Sequence, residues 1–182
     1  VRIEFVSGDG AKEFVKKKQQ DSENKEKEEK LREQEKEKRL EQRQIAKERI
    51  PVIAKSLLEC KQGATTIDEI TIEVAESGKA NFCYSDSNNY DDVFHIGLGE
   101  VLCKSDPKMV YCGLFEQGEK IRVIVYAGDE ISKEKSAGDI VKSISQILGG
   151  AGGGSPKFAQ GGGTDKSKKE DAIKNAKSMI IE

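Results

Sequence analysis

Apolar positions are distributed unevenly along this chain, and their spacing changes character three times. Between Gly10 and Pro51 they are sparse: Ala11, Phe14 and Val15, then Leu31, Leu40, Ile45, Ala46 and Ile50. The rest of that stretch is mostly Lys, Glu, Arg and Gln, all good helix formers. Glu26–Lys30, Glu28–Arg32 and Glu35–Arg39 are i,i+4 pairs in the favourable order, each worth roughly 0.2–0.5 kcal/mol. The pattern predicts one long solvated helix with no sustained heptad. Pro51 is expected to break it. A second, more apolar helix follows over residues 52–60, with Ile53, Leu57 and Leu58 on one face. The two form a helix–loop–helix arm over residues 9–62, whose apolar second helix needs a partner in the same chain or in a second copy.

Near Thr66 the spacing becomes that of a globular domain, residues 63–182. Ile70, Ile72 and Val74 alternate with Thr71 and Glu73, as in a half-buried strand. Residues 81–84 suit a short strand. Residues 91–104 read as a helix with Val93, Phe94, Leu98, Val101 and Leu102 on one face. Two apolar runs, 109–115 and 120–126, flank Glu116-Gln117-Gly118-Glu119 and predict a buried hairpin. Ala137, Ile140, Val141, Ile144, Ile147 and Leu148 give the clearest amphipathic helix. A last helix, capped by Thr164 or Asp165, would bury Ala172, Ile173, Ala176, Met179 and Ile180. The expected fold is α/β (α+β): the helical arm, then a small domain with a 4–5-stranded sheet packed by helices.

Between the last two helices lies GGAGGGSPKFAQGGG, residues 149–163, in which eight of fifteen residues are glycine. Composition alone leaves a flexible linker and an ordered loop equally open. Pro156, Phe158 and Ala159 interrupt the glycines, and Phe158 would prefer a pocket. Six lysines face four carboxylates over residues 151–182. Such a modest basic patch suits an RNA backbone or the solvated face of a terminal helix.

The 182 residues carry a net charge of −2, with 35% charged and 35% hydrophobic residues. This excludes a general polyanion binder. Cys60, Cys83, Cys103 and Cys112 lack CxxC spacing and there is one histidine, so no structural zinc site is expected. The cysteines read as free buried thiols in a reducing compartment. His95 reads as a packing residue, and Asp86, Asp91 and Asp92 as a helix cap rather than an acid–base group. No apolar run spans a membrane and no signal peptide is present. The expectation is a soluble, cytoplasmic chain without membrane partners. The opening at Val1 rather than Met reads as a fragment of a larger protein.

The string at residues 149–163 resembles the glycine-rich signature of the DHH-associated, C-terminal domain of alanyl-tRNA synthetases, close to GGKGGGRPDMAQGGG. Gly149, Gly150, Gly152, Gly153, Gly154, Gly161, Gly162 and Gly163 are kept, as are Pro156 and the AQGGG ending. Ala151, Ser155, Lys157 and Phe158 replace the usual Lys, Arg, Asp and Met, so the two usual basic positions are missing. The opening RIEFVSG resembles the segment closing the editing region of archaeal members, so residues 1–8 are expected to be a stub of that region.

The resemblance implies a non-catalytic domain that forms a homodimer and binds the tRNA(Ala) elbow in support of aminoacylation and editing, without DNA. It implies no cofactor here; ATP, Mg and Zn are expected in the full-length enzyme. The class II aminoacylation motifs and the HxxxH editing site are missing from this sequence. Candidate phosphate contacts are Lys157, Lys166, Lys168 and Lys169; candidate dimer contacts are Ile53, Leu57 and Leu58. A pure oligomerisation module without RNA affinity remains open. So does a DHH-type phosphoesterase accessory domain, although the DHH motif and the loop histidine of those proteins are absent.

Overall fold

The computed structural model describes residues 9–59, 63–67, 70–77, 79–87 and 90–181. The expected stub over residues 1–8 and Cys60 lie outside them. The chain divides into two compact units, Val1–Glu41 and Gln42–Glu182. In the first unit, every described side chain is solvent-exposed, as its Lys/Glu-rich sequence dictates. Helix α1 (Asp9–Glu59) supplies this segment and continues into the second unit.

The second unit is built on a seven-stranded sheet of order β1-β2-β3-β4-β5-β7-β6. The strands are β1 (Gly63–Ile67), β2 (Ile70–Glu76), β3 (Asn81–Asp86), β4 (Met109–Gln117), β5 (Lys120–Ala127), β6 (Ala151–Gly154) and β7 (Phe158–Gly163). All neighbours are antiparallel except β3 and β4. That parallel pair is joined by helix α2 (Asp92–Ser105), as a parallel pair requires a crossover. Helices α3 (Ala137–Ile147) and α4 (Lys169–Ile181) complete the unit.

Alternation along β5 distributes the core. Ile121, Val123, Val125 and Ala127 bury with Ile140, Val141 and Ile144 of α3 and Ala172, Ala176 and Ile180 of α4. On the opposite face, Ile70, Ile72, Cys83 and Tyr111 pack with Phe94, Leu98 and Leu102 of α2 and with Ala46, Ile50, Ile53, Ala54 and Leu57 of α1. Asp91 caps α2, accepting hydrogen bonds from the Val93 and Phe94 amides. Among the described residues no helix is long and apolar enough to cross a membrane.

Three expectations are corrected. First, α1 does not break at Pro51, which lies inside it with an exposed ring. A mid-helix proline costs about 3 kcal/mol. Burial of Ile50, Ile53 and Leu57 returns about 1.5–3 kcal/mol each, so the continuous helix wins. Second, Ile53 (0% exposed) and Leu57 (2%) are not free for a second copy, because the chain's own sheet covers them; Leu58 remains 41% exposed. Third, the sheet has seven strands rather than four or five. The additional strands are short β1 and the two glycine-rich strands β6 and β7.

Candidate functional site

The glycine-rich stretch is a hairpin forming one edge of the sheet. Gly149 ends α3 with φ of 69° and donates its amide to the Gln146 carbonyl. The Ser155 amide then donates to the Phe158 carbonyl, while the Ser155 hydroxyl accepts from the Phe158 amide. The Ala137 amide, at the start of α3, donates to the Pro156 carbonyl and fixes the hairpin tip. Glycine is needed here for close approach: a Cβ on Gly161 would lie 2.4 Å from Ser145 Oγ and 2.8 Å from Val141 Cγ1 of α3.

Register places Arg122 opposite Gly162, Ile124 opposite Gln160 and Tyr126 opposite Phe158. Those side chains share one face with Lys120, turned away from α3. Strands β5, β6 and β7 contain no Asp or Glu. Lys120, Arg122, Gln160, Thr164 and the surrounding glycines line an open groove of about 490 Å³. Among the described residues, neither Lys120 nor Arg122 has an ion-pair partner. Cations facing shared solvent beside backbone without side chains can receive an anionic polymer at short range.

The lysines singled out from sequence are placed differently. Lys157 pairs with Asp129 at 2.7 Å and Lys168 with Asp165 at 3.5 Å. Lys166 holds Glu116 and also donates to the Gly118 carbonyl. Lys169 is only 18% exposed and lies 2.6 Å from Asp86. The Lys166 ammonium holds the Glu116 carboxyl below the usual range, and Lys157 does the same for Asp129. Each of the four thus already faces a carboxylate; Lys166, Lys168 and Lys169 sit together at the start of α4, where Lys166 and Lys169 both act on Glu116. Lys120 and Arg122 were legible only as the charged half of an alternating strand.

His95 also has an unexpected setting. Its Nδ1 lies 2.7 Å from the Tyr111 hydroxyl and 3.3 Å from Ser85 Oγ, and those two hydroxyls are 2.6 Å apart. The ring stacks on Phe115 with centroids 5.1 Å apart. The spacing resembles a nucleophile and its base, but Ser85, His95 and Tyr111 are all fully buried. Burial pulls the imidazole down to about 3 and pushes the Tyr111 phenol well up. The group is a polar joint inside the core. Cys83, Cys103 and Cys112 are buried, and burial raises the Cys103 and Cys112 thiols to about 12. Among the described residues, no cluster of three or more His, Cys, Asp or Glu is arranged to hold a metal ion.

The DHHA1 domain family matches residues 81–182, more than half of the sequence. The chain belongs to the DHHA1 domain family. Over 181 residues this DHHA1 chain is 42% identical to an alanine–tRNA ligase of Nitrosopumilus maritimus and 34% identical to one of Cenarchaeum symbiosum. Both alignments cover 100% of the chain and 19% of the relative, so it spans about a fifth of their length. The solved C-Ala domain of Aquifex aeolicus alanyl-tRNA synthetase shares the fold, with a TM-score of 0.56 at 24% identity over 60% of this chain and 99% of that one. The resemblance drawn from the glycine signature is thereby borne out.

Proposed function

We propose that this DHHA1 chain is the non-catalytic C-terminal module of an alanyl-tRNA synthetase, and that it holds transfer RNA by its phosphate backbone. The observation carrying this reading is the face of β5, β7 and β6, strands without Asp or Glu, where Lys120 and Arg122 stand beside the glycine strands with no ion-pair partner among the described residues. A cation engaged by a carboxylate must give it up to meet a phosphate; Lys120 and Arg122 need not. A contact made here would keep the RNA tethered while its acceptor end visits sites elsewhere in the enzyme. Tethering raises effective concentration without new contacts at those sites.

The test is the affinity of this chain for tRNA(Ala) between 50 and 200 mM salt. The reading expects log K to fall linearly with log salt, because each neutralised phosphate releases counterions. Absence of binding, or binding indifferent to salt, would overturn it.

Homodimerisation is a second component, favoured by one observation. Within Gln42–Glu182, Ile45 (41% exposed) and Val52 (63%) lie one heptad apart on α1, outside the buried stripe. Large aliphatic side chains so placed suit contact with a second copy. Light scattering should show a dimeric mass that falls to the monomer in Ile45→Lys/Val52→Lys. An unchanged mass in the variant would remove this component.

A further inference from the structure

The open face has two chemically different ends. At one end stand Lys120 and Arg122. At the other, the Phe158 ring lies against Tyr126, with centroids 4.7 Å apart and planes inclined by 46°. Both rings are half-buried. Tyr126 also borders a second open cavity, of about 460 Å³, lined by Glu100, Cys103, Lys104, Ala127, Asp129 and Lys157. That size admits a small aromatic ligand.

Charge at the aromatic end is already balanced. Lys157 meets Asp129, and Lys104 meets Glu100, each at 2.7 Å. A phosphate gains little there, whereas a flat apolar ring gains a stacking partner. Four residues along β7 separate Phe158 from Gly162, about 13 Å at strand rise. Between the cations and the aromatic plane, Ile124 on β5 is buried and its β7 neighbour Gln160 is exposed, so the two ends are linked along β7. The plane is also fixed in advance. The Phe158 amide donates to Ser155 Oγ, its carbonyl accepts from the Ser155 amide, and the preceding Lys157 carbonyl accepts from the Ala127 amide.

We infer that Phe158, backed by Tyr126, is a stacking platform for an unstacked nucleobase of the RNA whose phosphates run past Lys120 and Arg122. The inference rests on the RNA reading above and deepens it. The preferred ligand is RNA with a loop or splayed-out base, because bases inside a continuous duplex have no free face to offer.

Phe158→Leu keeps an apolar side chain against Tyr126 but removes the aromatic plane. Phe158→Trp keeps a plane and supplies a unique fluorophore, since the chain contains no tryptophan. Binding is measured for tRNA(Ala) and for a blunt, fully paired RNA duplex with the same number of phosphates. The platform predicts that the unmodified chain prefers tRNA. It predicts that Phe158→Leu weakens tRNA binding by about 5- to 100-fold while leaving duplex affinity and salt slope unchanged. It also predicts that Phe158→Trp binds tRNA nearly as the unmodified chain does, with quenching of its fluorescence. Equal tRNA affinity in the unmodified chain and Phe158→Leu, or equal loss on tRNA and duplex, would overturn the platform and leave the phosphate reading standing. Failure of the unmodified chain to bind either RNA would overturn both.

Discussion

Gly152 and Gly161 face each other across β6 and β7, and neither has room for a Cβ on the side turned to α3. On Gly152 that atom would lie 2.4 Å from Val141 Cγ1; on Gly161, 2.7 Å from the Gly152 Cα. Both strands therefore lie directly against the helix. Gly153, by contrast, has open space where a Cβ would stand, with nothing within 4 Å, and no positive φ. Gly161→Ala is expected to destabilise the fold by about 1–3 kcal/mol through overpacking. Gly153→Ala should be neutral, or stabilising by about 0.4–1 kcal/mol through the unfolded chain. Chemical denaturation of the two variants checks the contrast, and equal effects would contradict it.

The buried imidazole of His95 makes stability depend on pH. Its folded value, about 3, lies below the ordinary 6.5. The unfolded state therefore takes up a proton first as pH falls. The stability associated with neutral His95 is complete above pH 6.5 and is lost progressively as pH falls from there towards 3. Between pH 7 and pH 5 the loss from this group is about 2 kcal/mol. Urea denaturation at the two pH values should show it, and His95→Gln should flatten the slope over that window even if the variant is less stable overall.

Pro51 is tolerated in α1 but is not the best residue for its position. Its exposed ring makes no core contact, and it lacks the amide that would bond the Lys47 carbonyl. Pro51→Ala should stabilise Gln42–Glu182 by roughly 1–3 kcal/mol, with helical circular dichroism retained. A lower melting temperature would contradict the account of burial overriding the proline.

The elements with strong periodicity were legible in the sequence. Helix α3, helix α2 and the β4–β5 hairpin lie within a few residues of their expected places, because each buries a regular apolar stripe. β1 carries no such signal: GATTI is small and polar, and tertiary pairing with β2 decides it. β6 is AGGG, so its strand character comes only from backbone pairing with β7. The continuation of α1 past Pro51 depends on a surface assembled from β2, β3 and α2, which a local rule cannot see. The carboxylate partners of the lysines were hidden for the same reason. Asp86 and Lys169 are 83 residues apart in sequence, and Glu116 and Lys166 are 50 apart, so local charge counting around the glycine stretch missed their neutralising partners.

Lys169 illustrates the consequence. Since its ammonium is largely covered and engaged with Asp86, Lys169→Ala should lower the melting temperature and leave tRNA affinity unchanged. Loss of affinity without loss of stability would return Lys169 to the RNA contact.

In the proposed RNA contact, Lys120 and Arg122 meet the phosphate backbone rather than the lysines flanking the glycine stretch. The most direct measurement compares tRNA(Ala) binding by Lys120→Gln/Arg122→Gln with that by Lys157→Gln/Lys166→Gln across a salt series. The account predicts that the first variant binds at least about tenfold more weakly near 100 mM salt and that its log–log slope is shallower by roughly 1.5. It predicts that the second variant behaves as the unmodified chain. The reverse order, with Lys157→Gln/Lys166→Gln losing affinity and slope while Lys120→Gln/Arg122→Gln does not, would contradict it.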